Sequence, residues 1–362
     1  MNLKIAIVGL PNAGKSTLFN ALLKKQVADA APYPFCTIEP NIGVVPVPDE
    51  RLTRLAEVTK AEEKMDTLPP IVPAVVEFVD VAGLVKGASV GEGLGNKFLS
   101  HIRECTVIAN VIRGFVDDNV VNVAGGLDPA RDRDIIRTEL ILADLQTLEK
   151  QTEPRGVKDR NAQKRWESIV TLTKGLNEGK TVREVLVTEE ERELIRDLQL
   201  LTAKPIMTIL NVSESDITGT SNEAMNPWRN DSLFVCAKTE SELAGLSPQD
   251  QKEYLASLGL LSSGLDRVIA YAYKTLALES FLTCGVKEVR AWTIPMGTKA
   301  VDAAGVIHTD FTKKFIKADV VAFDDFVANG GWKGSRENGR VRQEGREYVM
   351  QDGEVVEFKI GA

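Results

Sequence analysis

Residues Ile5-Ala6-Ile7-Val8 form an apolar run that stops at a glycine and enters Gly9-Leu10-Pro11-Asn12-Ala13-Gly14-Lys15-Ser16. The spacing is G-x-x-x-x-G-K-S, a phosphate-binding loop between a strand and a helix. Successive backbone N–H groups must face a polyphosphate, so the loop needs glycine and small residues. Lys15 supplies a point charge between the terminal phosphates, and the Ser16 hydroxyl is a ligand for Mg²⁺. Leu18-Phe19-Asn20-Ala21-Leu22-Leu23 continues as a helix whose N-terminus points at the anion. This one segment commits the chain to an α/β architecture.

The rest of a nucleotide site follows in a fixed order. Val75-Val76-Glu77-Phe78-Val79-Asp80-Val81-Ala82-Gly83 is a strand ending in D-x-x-G. Asp80 is expected to hold the metal through a water, and the Gly83 N–H to meet the γ-phosphate. Thr37, between the two motifs, is expected as a second Mg²⁺ ligand from a loop that orders with a triphosphate. Gly83, Gly87, Gly91, Gly93 and Gly95 suit a second switching loop.

The base-reading motif is where the chain departs from its class. GTP-binding chains of this kind end a strand with N-K-x-D, whose aspartate accepts from guanine N1–H and the 2-amino group. Here Pro205-Ile206-Met207-Thr208-Ile209-Leu210 ends in Asn211-Val212-Ser213-Glu214. Glutamate is one methylene longer and cannot keep the bidentate geometry. A guanine site without its buried partners loses discrimination by large factors. Asn211 is expected to pair with N7 and the 6-amino group of adenine. A further strand, Leu233-Phe234-Val235-Cys236, leads into Ala237-Lys238, similar to the S-A-K element that closes over a base.

These motifs, with Tyr33-Pro34-Phe35-Cys36-Thr37 and Asp80-Val81-Ala82-Gly83-Leu84-Val85-Lys86-Gly87-Ala88, resemble the Obg-related P-loop GTPases, and more closely the YchF / Obg-like ATPase subfamily. The resemblance covers essentially the whole chain, and the Asn211–Glu214 replacement is the subfamily's own mark. It implies a Ras-like mixed sheet and an ATPase that prefers ATP over GTP. It also implies nucleotide contacts from Asn12, Ala13, Gly14, Lys15, Ser16 and Thr17, with a backbone group of Val212 near the adenine.

After D-x-x-G a Ras-like chain carries a glutamine that orients the attacking water. Leu84 stands there and cannot do so, which implies slow intrinsic turnover. Asn12 is the residue type with which several such relatives hold K⁺ near the β- and γ-phosphates, where a fixed cation offsets developing charge. His101 is the other catalytic candidate beside Lys15. With Phe98 at i−3 and Cys105 at i+4, it either packs on a half-buried helix face or acts in turnover or gating.

At 362 residues the chain has room for two to three domains. No apolar run reaches the length of a membrane span, and no leader precedes the first strand, so a cytoplasmic protein is expected. Cys36, Cys105, Cys236 and Cys284 are widely spaced, with no C-x-x-C, which reads as reduced thiols. Cys36 is either a redox handle in a mobile loop or a plain small residue. A net charge of −8 argues against uniform electrostatic binding to nucleic acid, and no DNA partner is expected.

The motifs place the nucleotide domain at residues 1–127 and 205–276. Residues 128–204 between them read as a helical insert that projects as an antiparallel coiled coil. Asp128-Pro129 starts one helix, a second runs from about Lys158 to Leu176, and Thr188 caps a third that carries Leu194, Ile195, Leu198 and Leu201. Arg155, Lys158, Arg160, Lys164 and Arg165 form either an RNA-contacting patch or a solvated helix face.

Residues 277–362 read as short strands around one helix, a β-grasp fold. Val286–Ile294, Gly305–Phe311, Phe315–Val320 and Glu354–Ile360 are the expected strands. The segment resembles a TGS domain, which implies a ribosome or ribosomal-RNA partner. His308 is expected to hydrogen-bond inside this module, and Arg336, Arg340, Arg342 and Arg346 are interspersed with Glu337, Glu344 and Glu347. Two function classes remain from sequence: an Mg²⁺-dependent ATPase switch acting on the ribosome, and a regulatory module in which ATP is an allosteric ligand.

Overall fold

The structure is a computed structural model that describes residues 3–28, 41–81, 94–116, 126–154, 159–217, 227–228 and 231–361. Thr37, Cys36, Gly83, Leu84, Arg155 and Lys158 lie outside the described residues. Two sheets of six strands organise the rest.

The chain opens with β1 (Leu3–Val8), α1 (Lys15–Ala28), β2 (Ile42–Pro46), α2 (Glu50–Glu62), β3 (Ile71–Val72) and β4 (Val75–Asp80). It continues through α3 (Leu94–Glu104) and β5 (Val107–Arg113), and after a helical stretch resumes with β6 (Ile206–Asn211) and β7 (Ser232–Val235). The first sheet has the order β2-β4-β1-β5-β6-β7. Only the β2–β4 pair is antiparallel; β4, β1, β5, β6 and β7 run parallel. This is the mixed sheet that the resemblance implies.

Its central strands are apolar on both faces because parallel crossovers cover both. Side chains alternate between the faces. Ile5 and Ile7 meet one cluster with Leu18 and Leu22 of α1, while Ala6 and Val8 meet another with Leu99 and Ile102 of α3. The phosphate loop leaves the sheet at the C-terminal end of β1, where open α/β sheets bind ligands.

The insert contains α4 (Pro129–Leu148), α5 (Arg160–Asn177), α6 (Val182–Val185) and α7 (Glu189–Glu193). Asp128 caps α4 by accepting the Arg131 N–H at 3.0 Å, with Pro129 in the first turn. One face of α4 (Ile136, Leu140, Ala143) lies on the nucleotide sheet. Another (Ile141, Leu148) joins Ile169, Leu172 and Leu176 of α5 together with Val182, Leu186, Ile195, Leu198 and Leu200. The insert is therefore anchored along α4 rather than projecting from its first residue, and the long helices share their apolar seam with short segments.

Asp144 on α4 is fully buried and secures this anchor. Its carboxylate accepts the Leu201 N–H at 2.6 Å, the Thr202 N–H at 2.8 Å and the Thr202 hydroxyl at 2.7 Å. Thr188 does form a capping box with Glu191. The helix it starts stops at Glu193, however, and short 3₁₀ turns follow. Ile195, Leu198 and Leu200 must reach the insert cluster while Leu201 reaches the sheet cluster, and one helical face cannot serve both.

After β6 come α8 (Glu214–Ile217), then α9 (Ala237–Leu243), α10 (Pro248–Ser257) and α11 (Gly264–Thr275). The C-terminal region holds β8 (Leu278–Cys284), β9 (Val289–Pro295), α12 (Ala300–Ile307), α13 (Thr309–Lys314) and β10 (Phe315–Val321). It ends with α14 (Phe323–Ala328), α15 (Trp332–Glu337), β11 (Arg342–Glu344) and β12 (Val355–Ile360). The second sheet has the order β11-β10-β12-β8-β9-β3. β12 and β8 are parallel neighbours flanked by antiparallel β10 and β9, the arrangement of a β-grasp.

The strand expected over Gly305–Phe311 is instead the end of α12 and the start of α13. Ala300, Val301, Ala303 and Ala304 recur at helical spacing and bury one face against Phe281, Ile294 and Val320. The outermost strand, β3, comes from the N-terminal half and pairs in parallel with β9. α2 accompanies it: Leu52, Leu55 and Ala56 pack with Leu282, Val321, Phe326 and Val355.

Candidate nucleotide site

The phosphate loop is shaped by close approaches. A Cβ at Gly9 would lie 2.3 Å from the Val111 carbonyl oxygen. A Cβ at Gly14, where φ is +94°, would lie 2.0 Å from the Asn211 side-chain nitrogen. Glycine is required at both. Between them Asn12 takes the left-handed conformation, with φ of 65°. The loop delivers Ser16 and Thr17 exposed at the start of α1, while Ala13 and Lys15 are buried beneath them.

The Lys15 ammonium donates to the Leu10 carbonyl at 2.7 Å, so it lies across the loop's own backbone. Burial lowers its pKa, and the Asp80 charge partly opposes that. Asp80, at the end of β4 beside Ile7 of β1, responds in kind: burial raises its carboxyl and Lys15 pulls it back. A half-buried carboxylate and a buried ammonium thus feel one another's charge where β4 runs beside β1. Of the metal-ligand candidates, Ser16 stands at the start of α1 and Asp80 at the end of β4; Thr37 and Gly83 lie outside the described residues.

Asn211 stands where the sequence put it, at the end of β6, but its side chain serves another purpose. Its Nδ2 donates to the Ala13 carbonyl at 2.9 Å, and its Oδ1 accepts the Ala237 N–H at 3.0 Å. The residue is 5 % exposed. The amide expected to pair with the adenine edge instead ties the phosphate loop to the start of α9. The reason is geometric: Gly14 lets the loop pass so close that the side chain is enclosed by protein.

Val212 is buried, and its N–H donates to the Val235 carbonyl at 2.9 Å. Its side chain packs with Ile112, Leu210 and Phe234. Glu214 is exposed at the start of α8, where one carboxylate oxygen, Oε2, accepts from the Thr239 hydroxyl at 3.3 Å and the Tyr254 hydroxyl at 3.2 Å. Ala237 opens α9 with its N–H on Asn211, and Lys238 beside it is exposed.

The chain is similar to known proteins over nearly its whole length. The family model described as "50S ribosome-binding GTPase" matches residues 4–133. The YchF-GTPase_C model, described as a protein of unknown function, matches residues 278–361. The chain is 46 % identical over 372 residues to the protein named ribosome-binding ATPase YchF of Bacillus subtilis (strain 168), covering 99 % of this chain and 100 % of that one. It is 45 % identical over 370 residues to the protein of the same name in Escherichia coli O157:H7, with 99 % of both chains covered.

The chain belongs to the YchF family. The solved structure of the Schizosaccharomyces pombe YchF GTPase superposes with a TM-score of 0.84 at 36 % identity, covering 99 % of this chain and 98 % of that one. The resemblance of the whole chain to the YchF subfamily is thereby borne out.

His101 is exposed on α3, whose buried face is Leu99 and Ile102, with Cys105 buried just past its end. The half-buried packing position weighed for it is therefore not where it sits, because residues 99, 102 and 105 take the inward stripe. Cys105 and Cys236 are buried and Cys284 is partly so; burial pushes the Cys105 and Cys284 thiols up to about 11. Among the described residues no cluster of three potential ligands suits a metal ion, and no helix is long and apolar enough to cross a membrane.

Arg160 and Lys164 are exposed at the start of α5, while Arg165 pairs with Asp197 at 2.8 Å. The His308 Nδ1 accepts the Asp310 N–H at 3.2 Å inside the C-terminal module, as expected. The late arginines are partnered: Arg336 with Glu357, Arg342 with Glu354, and Arg346 with the Thr312 carbonyl.

Sequence reasoning did not find Thr239, Tyr254 or Glu240. Glu240 is buried and accepts the Gly264 and Leu265 N–H groups at 2.7 and 3.1 Å, fixing α11 against the nucleotide sheet. Their partners lie 24 to 40 residues away, and no local pattern signals such contacts.

Proposed function

We propose that this chain is a P-loop nucleoside triphosphatase that acts on the ribosome, with ATP preferred over GTP. The observation that carries the reading is the phosphate loop, with Lys15 laid across it and Asn211 bracing it from β6. Family membership over the whole length supports hydrolysis and a ribosomal partner, since the relatives are named ribosome-binding ATPases. The absence of a lysine at Val212 and of an aspartate at Glu214 supports adenine over guanine.

The site fits Mg²⁺. Asp80 is a carboxylate raised by burial and only partly offset by Lys15, and the exposed Ser16 hydroxyl stands at the helix N-terminus. Ser16 would hold the ion directly and Asp80 through water, with Thr37 as a further ligand. When bound, Mg²⁺ neutralises charge on the β- and γ-phosphates. The chain's own contributions are distinct. Backbone N–H groups of Asn12 to Thr17 cradle the phosphates, the Lys15 ammonium pairs with their oxygens, and Asn211 holds the loop in register. The Asn12 side chain is a candidate support for K⁺ near the phosphates, tested by exchanging K⁺ for Na⁺ in a hydrolysis assay. His101 is exposed on α3, and a role in turnover or gating is the reading kept for it.

We divide the chain as 1–127 with 205–276 for nucleotide, 128–204 for the insert and 277–362 for a TGS-like module that α2 and β3 of the first span complete, in a cytoplasmic protein. The test is co-sedimentation with ribosomes of protein loaded with a non-hydrolysable ATP analogue or with ADP. Nucleotide-dependent binding that weakens steeply with salt is expected, as is weaker binding after charge reversal of Arg160 and Lys164. Binding indifferent to nucleotide overturns the switch, and binding indifferent to salt and charge reversal overturns the phosphate contacts.

A further inference from the structure

Glu214 occupies the position from which an aspartate reads guanine in N-K-x-D chains, and yet its carboxylate is turned to protein. Thr239 lies on α9 two residues after Ala237, the residue whose N–H is bonded to Asn211. Tyr254 lies on α10, 40 residues along the chain from Glu214. Both hydroxyls donate to the same oxygen, Oε2, at 3.3 and 3.2 Å. Two neutral donors converging on one carboxylate oxygen from two different helices fix its direction.

We propose that Thr239 and Tyr254 are specificity-determining positioning residues: they hold the Glu214 carboxylate off the base edge, and so withhold from guanine the acceptor it needs. The inference rests on the adenine reading above and deepens it. A carboxylate at the base edge accepts from guanine N1–H and the 2-amino group, whereas adenine N1 presents a lone pair and repels it. Restraining Glu214 therefore acts twice, by denying guanine a charge-assisted hydrogen bond and by sparing adenine a like-polarity contact. Thr239 is buried, 2 % exposed, so its hydroxyl is held by packing and not by solvent. Tyr254 reaches the oxygen by its phenol alone, and phenylalanine would keep the ring while releasing the carboxylate.

The test compares wild type, Thr239→Val/Tyr254→Phe, and the same pair with Glu214→Gln. Calorimetric dissociation constants are measured for the β,γ-methylene analogues of ATP and GTP. In the double variant the GTP analogue should bind about tenfold more tightly, the scale of one charge-assisted hydrogen bond. The ATP analogue should bind more weakly. Adding Glu214→Gln should cancel both shifts, a rescue that loosened packing does not produce. A thermal melt of each variant confirms folding. A wild type that binds the GTP analogue more tightly overturns the adenine reading itself. A wild type that prefers the ATP analogue, with an unmoved ratio in the folded double variant, overturns the restraint alone.

Discussion

The two sheets solve different problems. The first is a mostly parallel sheet covered on both faces, and it presents loops at the C-terminal ends of its parallel strands; the phosphate loop, Asp80 and Asn211 all sit at that edge. The second is mostly antiparallel, and it completes itself with β3 and α2 from the N-terminal half. That borrowed segment lies between β2 and β4, the antiparallel pair at the edge of the nucleotide sheet. The comparison teaches that chemistry here is local in sequence while stability of the C-terminal module is not. The connection between two strands of the nucleotide sheet is also a wall of the other sheet.

The sharpest way to break this comparison is to empty the shared wall. Phe326 is fully buried against α2 and contacts Trp332 edge-on at 5.3 Å between ring centroids. Phe326→Ala should cost about 3–5 kcal/mol in the second sheet. Hydrogen exchange should rise in β8 to β12 and in α2 together, with β1 and β5 still protected. Loss of protection in the C-terminal strands alone would refute the wall. For the same reason, deleting residues 277–362 is no clean experiment, since it bares Leu52, Leu55 and Ala56.

Lys15→Ala probes the other side. Nucleotide affinity should fall by about a hundredfold or more, since a charged partner of the phosphates is removed. The melting temperature should barely move, because Lys15 faces the loop and not the apolar clusters. Unchanged ATP affinity would remove the phosphate-site assignment.

Asp144→Asn tests the joint between sheet and insert. An amide must turn its N–H₂ towards a backbone donor, which should cost about 1–3 kcal/mol. Burial raises the Asp144 carboxyl above its ordinary value. Its favourable contribution is therefore full below about pH 4 and is lost as pH rises through the folded value. The stability gap between wild type and variant should be widest near pH 4 and narrow upwards. A gap that widens with pH in urea titrations would show the ionised form to be the stabilising one.

The smallest effect is expected at His101. An exposed side chain on α3 should change stability by no more than about 0.5 kcal/mol when cut to alanine. A fall in turnover at unchanged stability assigns His101 to hydrolysis, and unchanged turnover withdraws it.

Sequence alone determined the phosphate loop, the strand before it, the order of the nucleotide motifs and the family. These are legible because neighbouring residues carry them: a glycine spacing, a capped helix start, a run of apolar residues. It also gave the start of α4 at Asp128-Pro129 and the capping box at Thr188, both set within three residues. Tertiary structure decided what Asn211 does, because only the folded chain brings Ala13 and Ala237 to its two amide groups. It decided where Glu214 points, through helices α9 and α10. It turned residues 305–311 from an expected strand into helix, since burial of Ala300, Ala303 and Ala304 outweighed the local alternation. And it placed β3 and α2 in the second sheet. A strand of two residues has no periodicity to read, and its pairing with β9 joins residues more than two hundred positions apart.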